Sequence, residues 1–269
     1  YRLDHIAFVE LGQRKVDHNE FENFKDFYTK DWQKFIDYNI VDVELVSRLE
    51  EKMKLIELAV ALAYDAKVNM QDVYYQVRMW DTLIYNFLKK KGIVVPPGKR
   101  SDKDEKYAGA YVKEPIAGRY NWVVSFDLNS LYPHLIMQYN ISPETLVEKR
   151  HPSATVNGLL SQKVEVPKEF CLCANGAMYR KDIHGFLPEM MKKIYDERVQ
   201  SKKLMILAKQ EYEKTPTKEL EKSISKYNNI QMARKIQLNS AYGAIGNQYF
   251  RYYNIINAEA ITLSGQVSI

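Results

Sequence analysis

The chain has 269 residues, of which 46% are hydrophobic and 27% charged, so it is long enough for one large or two smaller globular domains. No apolar run approaches the length of a membrane span and no signal peptide is visible, so we expect neither a membrane-spanning nor a secreted protein. Cys171 and Cys173 are too close in sequence to pair easily. They are predicted to be free thiols in a reducing cytoplasm.

The first 95 residues predict mainly helices. Val43, Val46 and Leu49 recur at helical spacing, which places Asp42 near the start of a helix, with Tyr38 four residues before it. Many helices carry this Y-x-x-x-D pattern, so a simple capping role for Asp42 stays open. Residues 44–92 continue with apolar faces at helical spacing and end in three lysines and Gly92. Pro96-Pro97-Gly98 and the charged run 99–106 predict a linker, and we place a domain boundary there.

Tyr107-Ala108-Gly109 follows the linker, and its small residues predict a turn before a strand. The run from Trp122 to Phe126 predicts a strand buried on both faces, with Asp127 at its end. Pro133 suits the first turn of a helix over residues 133–138. Taken alone, a strand-end aspartate such as Asp127 is more often a helix cap or turn residue than a catalytic group.

The last third of the chain predicts a helical hairpin. Residues 150–185 favour a small irregular sheet, after which amphipathic helices are predicted over 186–212 and 218–242, with Thr215-Pro216-Thr217 between them. Gly243 and Gly246 are expected to end the second helix.

The excess positive charge of the chain lies on this hairpin. Residues 186–239 carry 12 Lys or Arg and 7 Asp or Glu, and the rest of the chain has 27 of each. Arg198 and Lys202 share one helical face, and Lys235, Asn239 and Tyr242 share another. The pattern suits either a solvated surface or a triphosphate held by cations.

Two motifs carry a resemblance to a known family. Asp127 to Pro133 reads D-L-N-S-L-Y-P, and Lys235 to Gly243 reads K-I-Q-L-N-S-A-Y-G. These resemble the D-x-x-S-L-Y-P and K-x-x-x-N-S-x-Y-G motifs of the B-family DNA polymerases. The likeness extends over nearly the whole chain and is strongest to the polymerases of T4-like bacteriophages, through Y-N-I-V-D at Tyr38 and N-I-S-P-E-T at Asn140.

The resemblance implies an α+β fold: a polymerase palm segment with an antiparallel helical-hairpin fingers subdomain, preceded by the mostly helical tail of a 3′–5′ exonuclease domain. The implied bounds are 1–95 for the exonuclease part, 96–185 for linker and first palm segment, 186–246 for fingers and 247–269 for the return into the palm. The implied partners are primer-template DNA, deoxynucleoside triphosphates and, through other regions, a sliding clamp and replisome proteins. The implied location is the cytoplasm of a bacterial host, as a viral protein.

The resemblance also implies residue roles at three kinds of site. Asp127 is the implied catalytic residue and binds two Mg²⁺ ions, one of them shared with the carbonyl of Leu128, while Asp42 binds further divalent ions at the exonuclease site with Tyr38 orienting water. The implied nucleotide-binding residues are Ser130, Leu131, Tyr132, Arg198, Lys202, Lys235, Asn239 and Tyr242. The implied DNA-binding residues are Tyr107, Gly109 and Gly243.

The chain departs from the family pattern in one respect. The family has a second palm carboxylate in a D-T-D motif, and this sequence contains none. Because one carboxylate holds a metal pair poorly, we expect these 269 residues to be inactive alone. The chain begins at Tyr1 and ends in mid-pattern at Ile269, so we expect a piece of a longer polymerase, or one half of a split enzyme. The alternative is a noncatalytic nucleic-acid-binding subunit that kept the fold.

Overall fold

The computed structural model describes residues 2–98 and 107–269, and the predicted charged linker at 99–106 lies outside these residues. The chain divides into two compact units, residues 1–60 and residues 61–269. The predicted boundaries at 95, 185 and 246 stay predictions. None of the described helices is both long and apolar enough to cross a membrane.

The first unit is helical. It contains α1 (Leu3–Leu11), α2 (Phe24–Lys30), α3 (Trp32–Met53) and the start of α4 (Leu55–Ala66). Asp31 caps α3 by accepting a hydrogen bond from the backbone of Lys34. The helix therefore begins ten residues before Asp42, and the prediction that Asp42 lies near a helix start is wrong.

The second unit is also mostly helical, as predicted for residues up to 92. A 3₁₀ helix (Met70–Tyr74) leads into α5 (Gln76–Lys90). The helix ends at the lysine run, as predicted, and Gly92 follows in a left-handed conformation at φ 71°. After an irregular stretch come α6 (Leu131–Gln138), α7 (Val156–Leu160), β1 (Phe170–Leu172) and β2 (Met178–Arg180). The two strands form an antiparallel pair with Cys171 opposite Tyr179, which confirms the small sheet.

The helical hairpin is confirmed. It consists of α8 (Phe186–Lys214) and α9 (Lys218–Ile245), and Thr217 caps α9 by accepting from the backbone of Leu220. Gly246 ends α9, but Gly243 lies inside it, so the prediction that Gly243 ends the helix is wrong. The helix α10 (Ile255–Ser268) follows.

The base of the hairpin packs on α5. Trp80 is 1% exposed, and its indole nitrogen donates a hydrogen bond of 3.0 Å to the hydroxyl of Ser240 on α9. Arg251 forms a two-point contact with Asp81, at 2.7 and 3.0 Å. The buried Trp80–Ser240 bond fixes α9 against α5, and the partly exposed Arg251–Asp81 pair fixes the segment after α9 to the same helix, because an indole or carboxylate left without its partner there would lose stability.

The predicted strand at 122–126 is wrong. These residues are irregular and belong to no strand, and the exposed fractions of Trp122 and Phe126 are 98% and 91%. Trp122 has φ 59°, a left-handed conformation that interrupts a strand. A strand also needs a partner for its backbone groups. Within the described ranges β1 and β2 pair with each other, and β2 adds one bridge to Leu146, so neither pairs with residues 122–126. Asp127 therefore follows an irregular segment.

Candidate functional site: a cationic pocket at the hairpin base

A tight turn carries the chain from Asp127 into α6. Ser130 precedes the helix at φ 54°, which turns the backbone sharply through a left-handed residue. The carbonyl of Ser130 accepts the backbone N–H of His134 at 3.1 Å and lies 2.9 Å from His134 Nδ1. Pro133 is buried in the first turn, where its missing N–H costs nothing, as predicted. The turn thus presents residues 127–130 outside the helix.

The α8–α9 hairpin lies beside this turn, and together they line a pocket of about 350 Å³. Arg198 of α8 extends its Nη1 to the side-chain oxygens of Asn129 and Ser130, at 3.4 Å from each. Lys235 and Asn239, one turn apart on α9, lie on the exposed side of that helix and line the same pocket. Two cations and an amide from separate helices therefore meet the polar turn.

Most of the predicted polymerase-site residues line this pocket. The lining residues among them are Asp127, Leu128, Ser130, Leu131, Tyr132, Arg198, Lys235 and Asn239. Lys202 is exposed one turn further along α8 and Tyr242 lies behind Tyr132, so neither is a lining residue. Asn129 lines the pocket too, although the prediction passed over it as a variable position of the motif.

Three tyrosines support the floor of the pocket. The ring centroids of Tyr132 and Tyr242 are 4.7 Å apart at an interplanar angle of 50°, and the hydroxyls of Tyr242 and Tyr107 share a hydrogen bond of 3.0 Å. Burial, and then the hydrogen bond to Tyr107, raises the pKa of Tyr242 well above its ordinary value. Tyr242 therefore remains a neutral hydrogen-bonding group across the physiological range.

The predicted DNA-contact residues lie near this tyrosine group. A Cβ on Gly246 would come within 2.6 Å of the Tyr107 hydroxyl, so glycine permits the close approach of that tyrosine to α9. The carbonyl of Gly109 accepts a hydrogen bond from Gln266 of α10 at 2.8 Å. Gly243 faces Gln76 of α5, where an added Cβ would lie 2.5 Å from the side-chain oxygen. Gly243 thus serves helix packing in this arrangement.

The acidic content of the pocket is low. Asp127 is the one carboxylate among its described lining residues, and it is exposed. Across residues 2–98 and 107–269 no three His, Cys, Asp or Glu side chains group as a metal site. Mg²⁺ commonly binds one or two carboxylates and completes its shell with water and substrate phosphates. Asp127 and the Leu128 carbonyl are oxygen donors of the kind that this mode requires, and both residues line the pocket.

The first unit contains the other predicted site. Tyr38 and Asp42 lie one turn apart on α3, and both contact the ammonium group of Lys15, at 2.5 Å from the Tyr38 hydroxyl and 2.8 Å from Asp42 Oδ2. Among the described residues, buried Asp42 Oδ1 has no hydrogen-bond partner.

Lys15 is a functional candidate that the sequence did not suggest. Burial lowers the pKa of Lys15, but its hydrogen bonds to Asp42 and Tyr38 outweigh burial and leave the pKa above 10.5. The residue is therefore charged at neutral pH. It lies 23 positions before Tyr38, in a stretch without periodicity or motif, so no local signal could have identified it.

Comparison with known proteins gives one consistent result. Residues 69–269 match the model of DNA polymerase family B. The DNA-directed DNA polymerase of Escherichia phage RB69 is 33% identical over 311 residues, covering 100% of this chain and 34% of the relative. That of Enterobacteria phage T4 is 34% identical over 283 residues, covering 88% and 31%, respectively. A DNA polymerase of Pyrococcus glycovorans is 36% identical over 162 residues, covering 60% and 18%. The chain thus spans about a third of the length of its phage relatives.

Proposed function

Because the chain belongs to DNA polymerase family B, we propose that it forms the nucleotide-binding part of a DNA-directed DNA polymerase that replicates phage DNA. The observation that carries the proposal is the pocket itself. Residues of the two motifs, more than a hundred positions apart in sequence, line one cavity of about 350 Å³ with Arg198 between them. In this proposal α8–α9 is the fingers subdomain and residues 107–185 belong to the first palm segment.

The cations of the hairpin bind the triphosphate of the incoming deoxynucleotide. Arg198 binds phosphate oxygens through two N–H groups of its planar guanidinium. Lys235 neutralises their charge, and the side-chain amide of Asn239 donates a hydrogen bond to a phosphate oxygen. Buried Arg198 Nε has no hydrogen-bond partner within the part of the chain that the structure describes, which supports a role of this guanidinium in binding an anion. Lys202, one turn beyond Arg198, adds long-range attraction.

The floor of the pocket holds the sugar and the templating strand. Ser130 and Leu131 lie beside the triphosphate, and the ring of Tyr132 faces the 2′ position of the sugar. Tyr242 packs against Tyr132 and supports the base side of the site from outside the pocket, and Tyr107 and Gly109 contact the template strand.

Asp127 and the carbonyl of Leu128 would hold Mg²⁺ at this site, consistent with the donor set described above. Such ions supply charge stabilisation for the attacking and leaving oxygens of phosphoryl transfer. The primer 3′-hydroxyl attacks the α-phosphorus and pyrophosphate leaves. The residues of this chain contribute by positioning the triphosphate and neutralising its charge.

The first unit supplies part of a 3′–5′ proofreading site. Its support is the contact of Tyr38, Asp42 and Lys15, together with the unpartnered oxygen of Asp42. A nuclease that holds divalent metals needs further carboxylates besides Asp42. The partners of the whole enzyme are primer-template DNA, deoxynucleotides and a sliding clamp, and its location is the host cytoplasm.

The single carboxylate of the pocket also favours one alternative, a DNA-binding subunit that does not catalyse. Primer extension by the protein expressed from its complete reading frame separates the two. The proposal expects Asp127→Asn to abolish extension. It also expects Lys235→Ala and Arg198→Ala each to weaken nucleotide use by about 1–3 kcal/mol, the scale of charge-assisted hydrogen bonds.

The matched control is Lys226→Ala, which removes an exposed lysine of the same helix away from the pocket. It should leave the Michaelis constant for nucleotide unchanged. Binding of DNA without any extension, in wild type and variants alike, would support the noncatalytic subunit. Equal effects of Lys226→Ala and Lys235→Ala would show that α9 acts only through its net charge.

A further inference from the structure

A partly buried ion-pair network joins three helices behind the cationic pocket. The guanidinium of Arg234 on α9 contacts Asp65 Oδ2 near the end of α4 and lies 2.7 Å from Glu197 Oε2 on α8. Gln237, one turn along α9, accepts from Arg234 at 3.0 Å and donates to Asp65 at 2.7 Å. The exposed fraction of the Arg234 side chain is 16%, and Gln237 is fully buried.

This network is adjacent in sequence to the residues that line the pocket. Glu197 directly precedes Arg198, and Arg234 directly precedes Lys235. Successive residues of a helix point about 100° apart, so each pair directs one side chain to the rear and one to the pocket. A shift or rotation of either helix that disturbs the rear contacts therefore moves Arg198 relative to Lys235.

The geometry of the rear contacts is specific. A guanidinium can bind two carboxylates from different helices in fixed directions, which an ammonium group cannot do. Asp65 also accepts from Gln237, so its loss removes two contacts from α9 at once. The remaining partner of Arg234, Glu197, belongs to the other helix of the hairpin.

We propose that Asp65 is a positioning residue for nucleotide binding: through Arg234 and Gln237 it sets the separation of Arg198 and Lys235. The inference rests on the proposed function of the pocket. It assigns to α4, outside the two polymerase motifs, a specific effect on affinity for the triphosphate.

The test is a double-mutant cycle in the polymerase expressed from its complete reading frame. The Michaelis constant for deoxynucleotide is measured for wild type, Asp65→Ala, Lys235→Ala and the double variant. Asp65→Ala should raise this constant about tenfold, within the range of couplings between contacting residues, with a smaller change in kcat. In the Lys235→Ala background the same substitution should add a factor of about two or less.

Two further variants keep the result interpretable. Asp65→Asn removes the charge but leaves an oxygen that can accept from Gln237. This variant replaces Asp65→Ala in the cycle if Asp65→Ala does not fold. It should raise the constant by an intermediate factor. The control is Asp196→Ala on α8, whose exposed pair with Lys192, at 2.8 Å, lies outside the network. This control should leave the constant unchanged.

The outcomes distinguish the positioning role of Asp65 from the proposed nucleotide-binding function of the pocket. If Lys235→Ala raises the constant and both Asp65 variants leave it unchanged, the positioning role is wrong and the nucleotide site stands. An Asp65 effect of equal size in both backgrounds, or a lower melting temperature alone, would show that Asp65 only stabilises the fold. No effect of Lys235→Ala would overturn the nucleotide site, and the positioning role with it.

Discussion

Replacing Tyr132 by alanine should change the choice between deoxyribose and ribose. The Tyr132 ring lines the pocket, lies 4.7 Å from the ring of Tyr242, and extends its Cε1 to α10. At Gly265 of α10 an added Cβ would lie 3.6 Å from that carbon. The ring is thus held between α9 and α10, so it cannot easily swing away from a ribose 2′-hydroxyl.

The Tyr132 ring can act as a packing residue or as a barrier to the ribose 2′-hydroxyl, and the two roles predict different effects of its removal. A fully buried aromatic costs about 3–5 kcal/mol when truncated to alanine, so the half-buried Tyr132 should cost about 1–3 kcal/mol in stability. That loss lowers the melting temperature by about 2–4 °C per kcal/mol in a domain of this size. Discrimination against an added hydroxyl by pocket shape is worth about a hundredfold. We therefore expect ribonucleotide use, relative to deoxynucleotide use, to rise about a hundredfold in Tyr132→Ala.

The assay is single-nucleotide incorporation with matched ribo- and deoxyribonucleotides, using protein from the complete reading frame. Tyr132→Phe keeps the ring and should keep the discrimination. Tyr195→Ala is the control for lost packing, because Tyr195 contacts His134 of α6 at the same centroid distance, 4.7 Å, and does not line the pocket. An equal loss of both substrates in Tyr132→Ala would refute the gate and leave Tyr132 as a core residue.

Three further predictions concern the chain as a whole and its first unit. Purified residues 1–269 with Mg²⁺ should not extend a primer, since the pocket has a single carboxylate; extension above a heat-killed control would contradict this. In the complete protein, Asp42→Ala should abolish degradation of a mismatched 3′ end and leave polymerisation intact; normal degradation would assign Asp42 a purely structural role. Lys15→Ala should lower the free energy of unfolding by about 1–2 kcal/mol at neutral pH, because it leaves the Asp42 carboxylate without its cation. The folded pKa of Lys15 is raised above 10.5, so this contribution is present below that pH and lost as the pH rises through the folded pKa. A stability difference between wild type and variant that stays the same from neutral pH to the alkaline limit of folding would contradict the assignment.

The helical hairpin was predictable because its signals are local. Apolar residues at helical spacing and the Thr215-Pro216-Thr217 turn determine α8 and α9, and the observed ends lie within three residues of the predicted ones. The convergence of Asp127 with Lys235 and Asn239 was expected only from the family resemblance. Periodicity alone says nothing about which helix faces which turn.

The errors have physical causes that the sequence does not display. The apolar run before Asp127 has strand composition, but strand formation depends on a neighbour, and its left-handed Trp122 is invisible in composition. Gly243 lies within α9, where an added Cβ would meet the side-chain oxygen of Gln76 of α5, a long-range contact that the sequence does not reveal. The ion pair of Asp65 with Arg234 joins residues 169 positions apart, a distance over which a single sequence gives no pairing information.

The exposed apolar segment before Asp127 has a consequence for how this polypeptide behaves in solution. Val123, Val124 and Phe126 are 76%, 72% and 91% exposed, and no strand of the described residues pairs with their backbone groups. An exposed apolar segment with free backbone donors and acceptors is a template for pairing with another molecule. Preparations of these 269 residues should therefore self-associate as concentration rises. Light scattering would detect this self-association. The substitution Val124→Lys should suppress it by placing a charge within the exposed apolar segment.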